Sequence, residues 1–274
     1  MAPFTDHELI FVGTGGGRIH SSTQHRRTGG IIYVFNEKQT HIDPGPGAIV
    51  YLNQMGINRQ KTKWIIVTHN HTDHQNDAPI IIESTHKSLN TPAGTLISTD
   101  DYIESLNPYY KDLLIEIISM QTGKTIEIEP STTIHGTKVV HGSMEGFGMI
   151  IEQTDPNDSS KKYRIGFTSD TEIYGDFGRI YSDLDILVAN VLRPGNKVCH
   201  RHACVDEILP ALKIAQPKVC ILTHFGAMFD PPGSKESLID DQILHMQNSL
   251  GSSTKIIGAQ DGMRVKISDL FKMA

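Results

Sequence analysis

Short apolar runs alternate along the whole chain with stretches whose apolar residues recur at helical spacing. Runs of four to eight residues rich in Val, Ile, Thr and aromatics, bounded by Gly, Pro, Asn or Asp, read as strands buried on both faces. They predict strands at residues 8–12, 31–35, 39–42, 64–68, 95–98, 125–129, 137–140, 148–153, 163–168, 184–190, 218–223, 255–258 and 263–267. Apolar positions three and four apart predict helices at 48–55, 78–86, 109–120, 205–215 and 234–250, with Gly56 and Gly251 as stops. Strands mixed with helices over the full length predict an α/β layered protein, with too many strands for one open sheet. The polar run at 155–162 reads as a hairpin tip and the run at 230–233 as a turn before a helix. Neither marks a boundary and no internal repeat is evident, so residues 1–274 are read as a single domain.

Composition narrows the class. Hydrophobic residues make up 38% and charged residues 20%, with a mean hydropathy of -0.25, as in folded soluble proteins. No apolar run approaches the ~18 residues needed to span a bilayer. Asp6, His7 and Glu8 stand where a signal peptide would be basic and then apolar, so no membrane contact and a cytoplasmic location are expected. Cys199, Cys204 and Cys220 are an odd, sparse set, which argues against a disulfide framework. The net charge of -6 opposes indiscriminate nucleic-acid adhesion, so an anionic substrate would have to be met by a local patch. The unusual number is 14 histidines.

Four metal-competent side chains fall within six residues in His69-Asn70-His71-Thr72-Asp73-His74, directly after the apolar run ending at Thr68. Chance would give this pattern about 0.002 times in such a chain. Imidazole with carboxylate suits zinc, and also iron or manganese, while the lack of a thiolate argues against a closed structural zinc site. Three further apolar runs end in a ligand-type residue: His141, Asp170 and His224. Parallel strands deliver their C-terminal ends to one edge, where α/β sites are built. A carboxylate such as Asp170 has two oxygens and can bridge two cations. The Gly13 to Gly17 run is expected to be a tight loop beneath the site, since no helix clearly follows it. Arg193, Lys197 and Arg201 give a basic stretch that suits a phosphodiester or is simply a solvated loop.

The set His69, His71, Asp73, His74, His141, Asp170 and His224 resembles the metallo-β-lactamase fold superfamily. Phe11 to Gly17, Ile42 to Gly45, Ser169-Asp170 and Leu222 to Phe225 are similar to its branch of ribonuclease Z and cyclic-phosphate phosphodiesterases. The resemblance implies a four-layer αβ/βα sandwich of two mixed sheets flanked by helices. It implies two divalent metal ions, zinc first, with manganese or iron as alternatives. His69, His71 and His141 would hold one ion, Asp73, His74 and His224 the other, and Asp170 would bridge. Asp43 matches an acidic position that supports the histidine loop, although an Asx turn with Pro44 and Gly45 fits equally. His202 matches a histidine that faces the phosphate, with Arg201 beside it as a second substrate-binding candidate; Asp73 and His202 are the catalytic candidates.

The implied activity is phosphodiester hydrolysis in which a metal-bridging hydroxide attacks phosphorus. His141 and Asp170 are only 29 positions apart, too few for the long arm that transfer-RNA-processing members carry there. Transfer RNA is therefore not expected, and a small or cyclic phosphodiester or a short nucleic-acid end is. Two competing readings remain: a thioester or lactam hydrolase of the same fold, and a metal-dependent binding or sensing protein without turnover. A homodimer is an expectation of the resemblance alone.

Overall fold

The computed structural model describes residues 7–86, 88, 91–155, 158–231 and 237–272. The chain divides into two compact units: Met1–Met120 with Gln260–Met273, and Gln121–Ala259. Among the described residues no helix is long and apolar enough to cross a membrane.

The first unit holds a mixed sheet of seven strands. These are β1 (Glu8–Phe11), β2 (Ile31–Phe35), β3 (Lys38–Ile42), β4 (Thr62–Val67), β5 (Thr95–Ser98), β6 (Glu116–Ser119) and, from the far end of the chain, β14 (Arg264–Lys266). Their order is β14-β1-β2-β3-β4-β5-β6. The β14 to β3 side is antiparallel and the β3 to β6 side parallel. Trp64, Ile65, Ile66 and Val67 of β4 are all buried, because a central parallel strand is covered on both faces. Helices Ala48–Gln54 and Ala78–Ser84 pack Ala48, Leu52, Ala78, Ile81 and Ile82 into the core with Ile65, Val67 and Leu96.

The second unit repeats the scheme with β7 (Thr125–Glu129), β8 (Thr132–Thr137), β9 (Gly148–Asp155), β10 (Asp158–Phe167), β11 (Ile186–Asn190), β12 (Val219–Thr223) and β13 (Lys255–Gly258). The order is β13-β12-β11-β10-β9-β8-β7, parallel from β10 to β13 and antiparallel from β7 to β10. Helix Val205–Ala215 buries Val205, Ile208, Leu209, Ala211, Leu212 and Ala215 against Leu187, Ala189 and Leu222. The expected α/β class with two mixed sheets flanked by helices is thus observed.

Several expectations are corrected. The helix expected at 109–120 is a short helix, Pro108–Asp112, followed by strand β6. The apolar run 138–140 is not a strand: β8 ends at Thr137, opposite Gly148 where β9 begins, so residue 138 has no partner strand to continue along. A helix, Gly17–Thr23, does follow the glycine run; its sequence GRIHSST lacks an apolar stripe and so carries no periodic signal. The last long helix is Ile239–Leu250; positions 232–236, where its expected start and the end of the turn fall, lie outside the described residues. Residues 1–6 and the hairpin positions 156–157 do too.

Candidate metal centre

In the first unit the parallel ends of β3 and β4 bring Asp43 beside Thr68. The Asp43 N–H donates to Ile66 O (2.8 Å), continuing the ladder one residue past each strand. Asp43 then turns through φ +51°. Its carboxylate accepts from Thr68 N–H (2.7 Å), Thr68 Oγ1 (2.8 Å) and His74 Nδ1 (2.9 Å). A carboxylate can only accept, so Nδ1 carries the His74 proton and Nε2 keeps its lone pair. His71 caps a one-turn helix, Thr72–Gln75, that lifts Asp73 and His74 off the loop. His69 and His74 are buried at 1% and 2% exposure. His69 Nε2 and His71 Nδ1 stand 3.0 Å apart, and His74 Nε2 and Asp73 Oδ2 3.7 Å apart. Asp73 Oδ2 accepts from the Gly17 N–H (2.7 Å), so the glycine run meets a site carboxylate through the first amide of the unpredicted helix.

In the second unit the parallel ends of β10, β11 and β12 deliver Asp170, Asn190 and His224 to one edge. Asn190 Nδ2 donates to Asp170 Oδ1 (2.8 Å), which also lies 3.3 Å from His224 Nε2. Asp170 Oδ2 lies 3.4 Å from His202 Nδ1. His141 Nδ1 donates to the Arg201 carbonyl (2.7 Å), which leaves Nε2 as its electron-pair donor. His141, Asp170 and His202 each place one ligand-type atom within 4.8 Å of the others.

Four residues in or beside the two clusters have a strained backbone. Asp43, Ser169, Arg201 and His224 are non-glycine residues at φ +51°, +55°, +73° and +61°. Each such residue costs of order 1–3 kcal/mol and persists only where its surroundings over-determine it.

The donor set fits a divalent cation. Two nitrogens bound to one tetrahedral ion at about 2.0–2.1 Å stand about 3.3 Å apart. The donor pairs His69–His71, Asp170–His224 and Asp73–His74 within the units lie at 3.0, 3.3 and 3.7 Å. The donors are imidazole and carboxylate with no thiolate, and an acceptor fixes the outer ring nitrogen of both His74 and His141.

The first unit thus gathers His69, His71, Asp73 and His74 with Asp43, and the second gathers His141, Asp170, His202 and His224. The basic stretch is not gathered. Lys197 is exposed, Arg193 Nη1 points at Met228 Sδ, and the exposed Arg201 lays its guanidinium stem over Gly142, where a Cβ would sit 2.6 Å from Arg201 Nε. Sequence reasoning missed Asn190, Thr68, the Arg201 carbonyl and Asp261. The Asp261 carboxylate holds the glycine run through Thr14 N–H (2.9 Å), Thr14 Oγ1 (2.7 Å) and Arg27 N–H (2.9 Å). Only Asn190 and Thr68, each the last residue of an apolar run, carried a signal. Of the remaining histidines His20 and His41 are packed and His25, His200 and His245 exposed. Burial pushes His41 down to about 4. The three cysteines are free thiols; burial pushes Cys204 up to about 11 and Cys220 up to about 12, so neither is a thiolate donor at neutral pH.

A family model described as a beta-lactamase superfamily domain matches residues 39–225. The chain is 29% identical over 269 residues to uncharacterized protein MJ1374 of Methanocaldococcus jannaschii, covering 95% of each. Among solved structures it is similar to the metallo-beta-lactamase fold protein YhfI from Bacillus subtilis, with a TM-score of 0.74 at 16% identity over 94% of this chain and 98% of that one. It is similar to the short form of human tRNase Z, with a TM-score of 0.71 at 14% identity over 95% and 99%. A diphosphatase from the PhnP family gives 0.66 at 18% identity over 94% and 96%. At these identities the structural likeness establishes the fold, which is the one the sequence resemblance implied.

Proposed function

The chain belongs to the beta-lactamase superfamily, whose members include metallo-hydrolases, and from that premise we propose that it is a binuclear metal-dependent phosphodiesterase acting on a small, cyclic or nucleotide phosphodiester. The observation that carries this reading is the pre-set ring chemistry: His74 and His141 each have one nitrogen committed to a fixed acceptor and the other left as an electron-pair donor. The proposed ligands are His69, His71 and His141 for one ion and Asp73, His74 and His224 for the other, with Asp170 shared. Asp43 acts behind His74. Two divalent ions, zinc in the first place, would lower the pKa of water and stabilise the charge that develops on the phosphoryl oxygens. The family match runs through parts of both units, which supports treating the chain as one hydrolase domain.

The preference for phosphorus over a carbonyl rests on His202. Its side chain is 19% exposed beside the buried Asp170 carboxylate, with Nδ1 turned towards it. An imidazolium there would carry a proton on both nitrogens, Nδ1 towards Asp170 and Nε2 able to protonate a leaving oxygen, the help an alkoxide leaving group needs. That one solved neighbour is a tRNase Z and another a diphosphatase supports the same class of bond. The test is turnover of bis(p-nitrophenyl) phosphate, a chromogenic thioester and a cephalosporin by metal-stripped protein reloaded with zinc or manganese. Metal-restored cleavage of the phosphodiester above the other two is expected. Preferential cleavage of the thioester or the cephalosporin overturns the substrate class, and no turnover of any substrate favours a binding protein.

A further inference from the structure

We propose that Glu172 is a positioning residue for His141, acting through the peptide of Arg201; this rests on the reading of His141 as a metal ligand. Thr171 and Glu172, which directly follow Asp170, close a circuit around that imidazole. Val140, immediately before His141, is not in a strand; it is pinned to this segment instead. Its N–H donates to Thr171 Oγ1 (2.8 Å) and its carbonyl accepts from Glu172 N–H (2.9 Å). The ring of His141 reaches across to the Arg201 carbonyl (2.7 Å). Glu172 Oε1 accepts from the N–H of that same Arg201 (2.6 Å) and lies 2.9 Å from His200 Nδ1.

Arg201 needs such a hold. At φ +73° an L residue is disfavoured, and the exposed loop from 196 to 201 offers little burial to offset that. A carboxylate accepting the Arg201 N–H holds the turn in this conformation. With the N–H fixed by Glu172, the carbonyl of Arg201 points at His141 Nδ1 and selects the tautomer whose Nε2 can donate to a cation. The same turn, closed by His202 N–H to Cys199 O (3.1 Å), delivers His202 beside Asp170. The contribution of Arg201 here is its backbone; a glycine at 201 could adopt φ +73° without strain and keep the carbonyl.

The test is equilibrium titration of metal-free protein with Zn²⁺ in competition with a chromogenic chelator, for wild type and for the Glu172→Ala, Glu172→Gln, Arg201→Gly and His141→Ala variants. Loss of an outer hydrogen-bond partner typically weakens metal binding 10- to 100-fold. Glu172→Ala is expected to weaken one of two zinc sites by about that factor. Glu172→Gln, whose amide oxygen still accepts, should stay within about threefold of wild type, and Arg201→Gly should match wild type. Nitrogen-15 imidazole shifts should show the His141 Nδ1–H tautomer depopulated in Glu172→Ala alone. Wild-type affinity and tautomer in Glu172→Ala, with His141→Ala losing a zinc site, overturn the positioning role while sparing the ligand reading. Unchanged zinc binding in His141→Ala overturns the ligand reading and this inference with it.

Discussion

At the scale of single residues, the side chains that hold the ligands in place are as important as the ligands themselves. Asp43 is held by two bonds from Thr68 and in turn holds His74 Nδ1. Asp43→Ala should weaken zinc binding about 10- to 100-fold, measured by chelator competition, while the fold survives on its sheet cores. His202→Ala should cut phosphodiester turnover by ~10²- to 10⁴-fold with the metal content unchanged, and more for a poor leaving group than for p-nitrophenolate. A loss of metal in that variant would make His202 a ligand. His41 makes a separate prediction about stability. It is buried in β3, donates to Gly29 O (2.8 Å), and titrates at about 4, against about 6.5 when unfolded. The fold therefore holds His41 neutral. As pH falls below 6.5 the unfolded chain gains a proton that the folded chain refuses until about 4, and stability is lost across that window. Between pH 7.5 and 5 the wild type should lose about 2 kcal/mol more than His41→Asn in denaturant titrations; equal losses would contradict the assignment.

At the scale of elements, the site depends on strand ends packed too closely for any side chain at some positions. A Cβ on Gly45, two residues past Asp43, would lie 2.0 Å from Asp73 O and 2.4 Å from Thr28 O. Both are backbone atoms, so Gly45→Ala must displace the histidine loop. A loss of about 1–3 kcal/mol is expected, read as a lower Tm together with weaker zinc binding. An unchanged Tm would mean that the turn after β3 yields freely. The strands that carry this arrangement were legible in the sequence because central strands buried on both faces leave continuous apolar runs, as in β4 and β12. The segment 113–119 was not. Its apolar residues satisfy both helical and alternating spacing, and the edge of β5 decides the outcome by pairing Thr95 with Glu116 through Ser98 with Ser119. Residues 138–140 failed in the opposite sense: β-branched residues suggest a strand, but β9 starts too late to pair with them. His202 came with the family resemblance, whereas the other ligand-type residues were legible from the spacing of His69 to His74 and from the ends of apolar runs at His141, Asp170 and His224. Their supports were not, because a backbone carbonyl such as that of Arg201 or a distant carboxylate such as Asp261 leaves no mark on local sequence.

At the scale of the whole molecule, two sheets of the same construction each place a histidine and aspartate cluster at the parallel strand ends, although the sequence shows no repeat. The first unit is closed by the far end of the chain. β14 pairs with β1, Gly262 N–H donates to Phe11 O, and Asp261 ties down the glycine run. Deleting residues 260–274 should therefore unfold the first unit. The single tryptophan, Trp64 in β4, is 2% exposed and reports on it: its emission should move to that of a solvated indole, and wild-type emission would refute the dependence. The claim on which everything else turns is the pair of cations. Elemental analysis of purified protein equilibrated with zinc measures it directly, beside the Asp170→Ala variant. Two ions per chain in the wild type, falling to one or none in Asp170→Ala with most activity lost, is the predicted result. A reproducible single ion that added zinc or manganese does not change, or an Asp170→Ala protein with two ions and full rate, would contradict it.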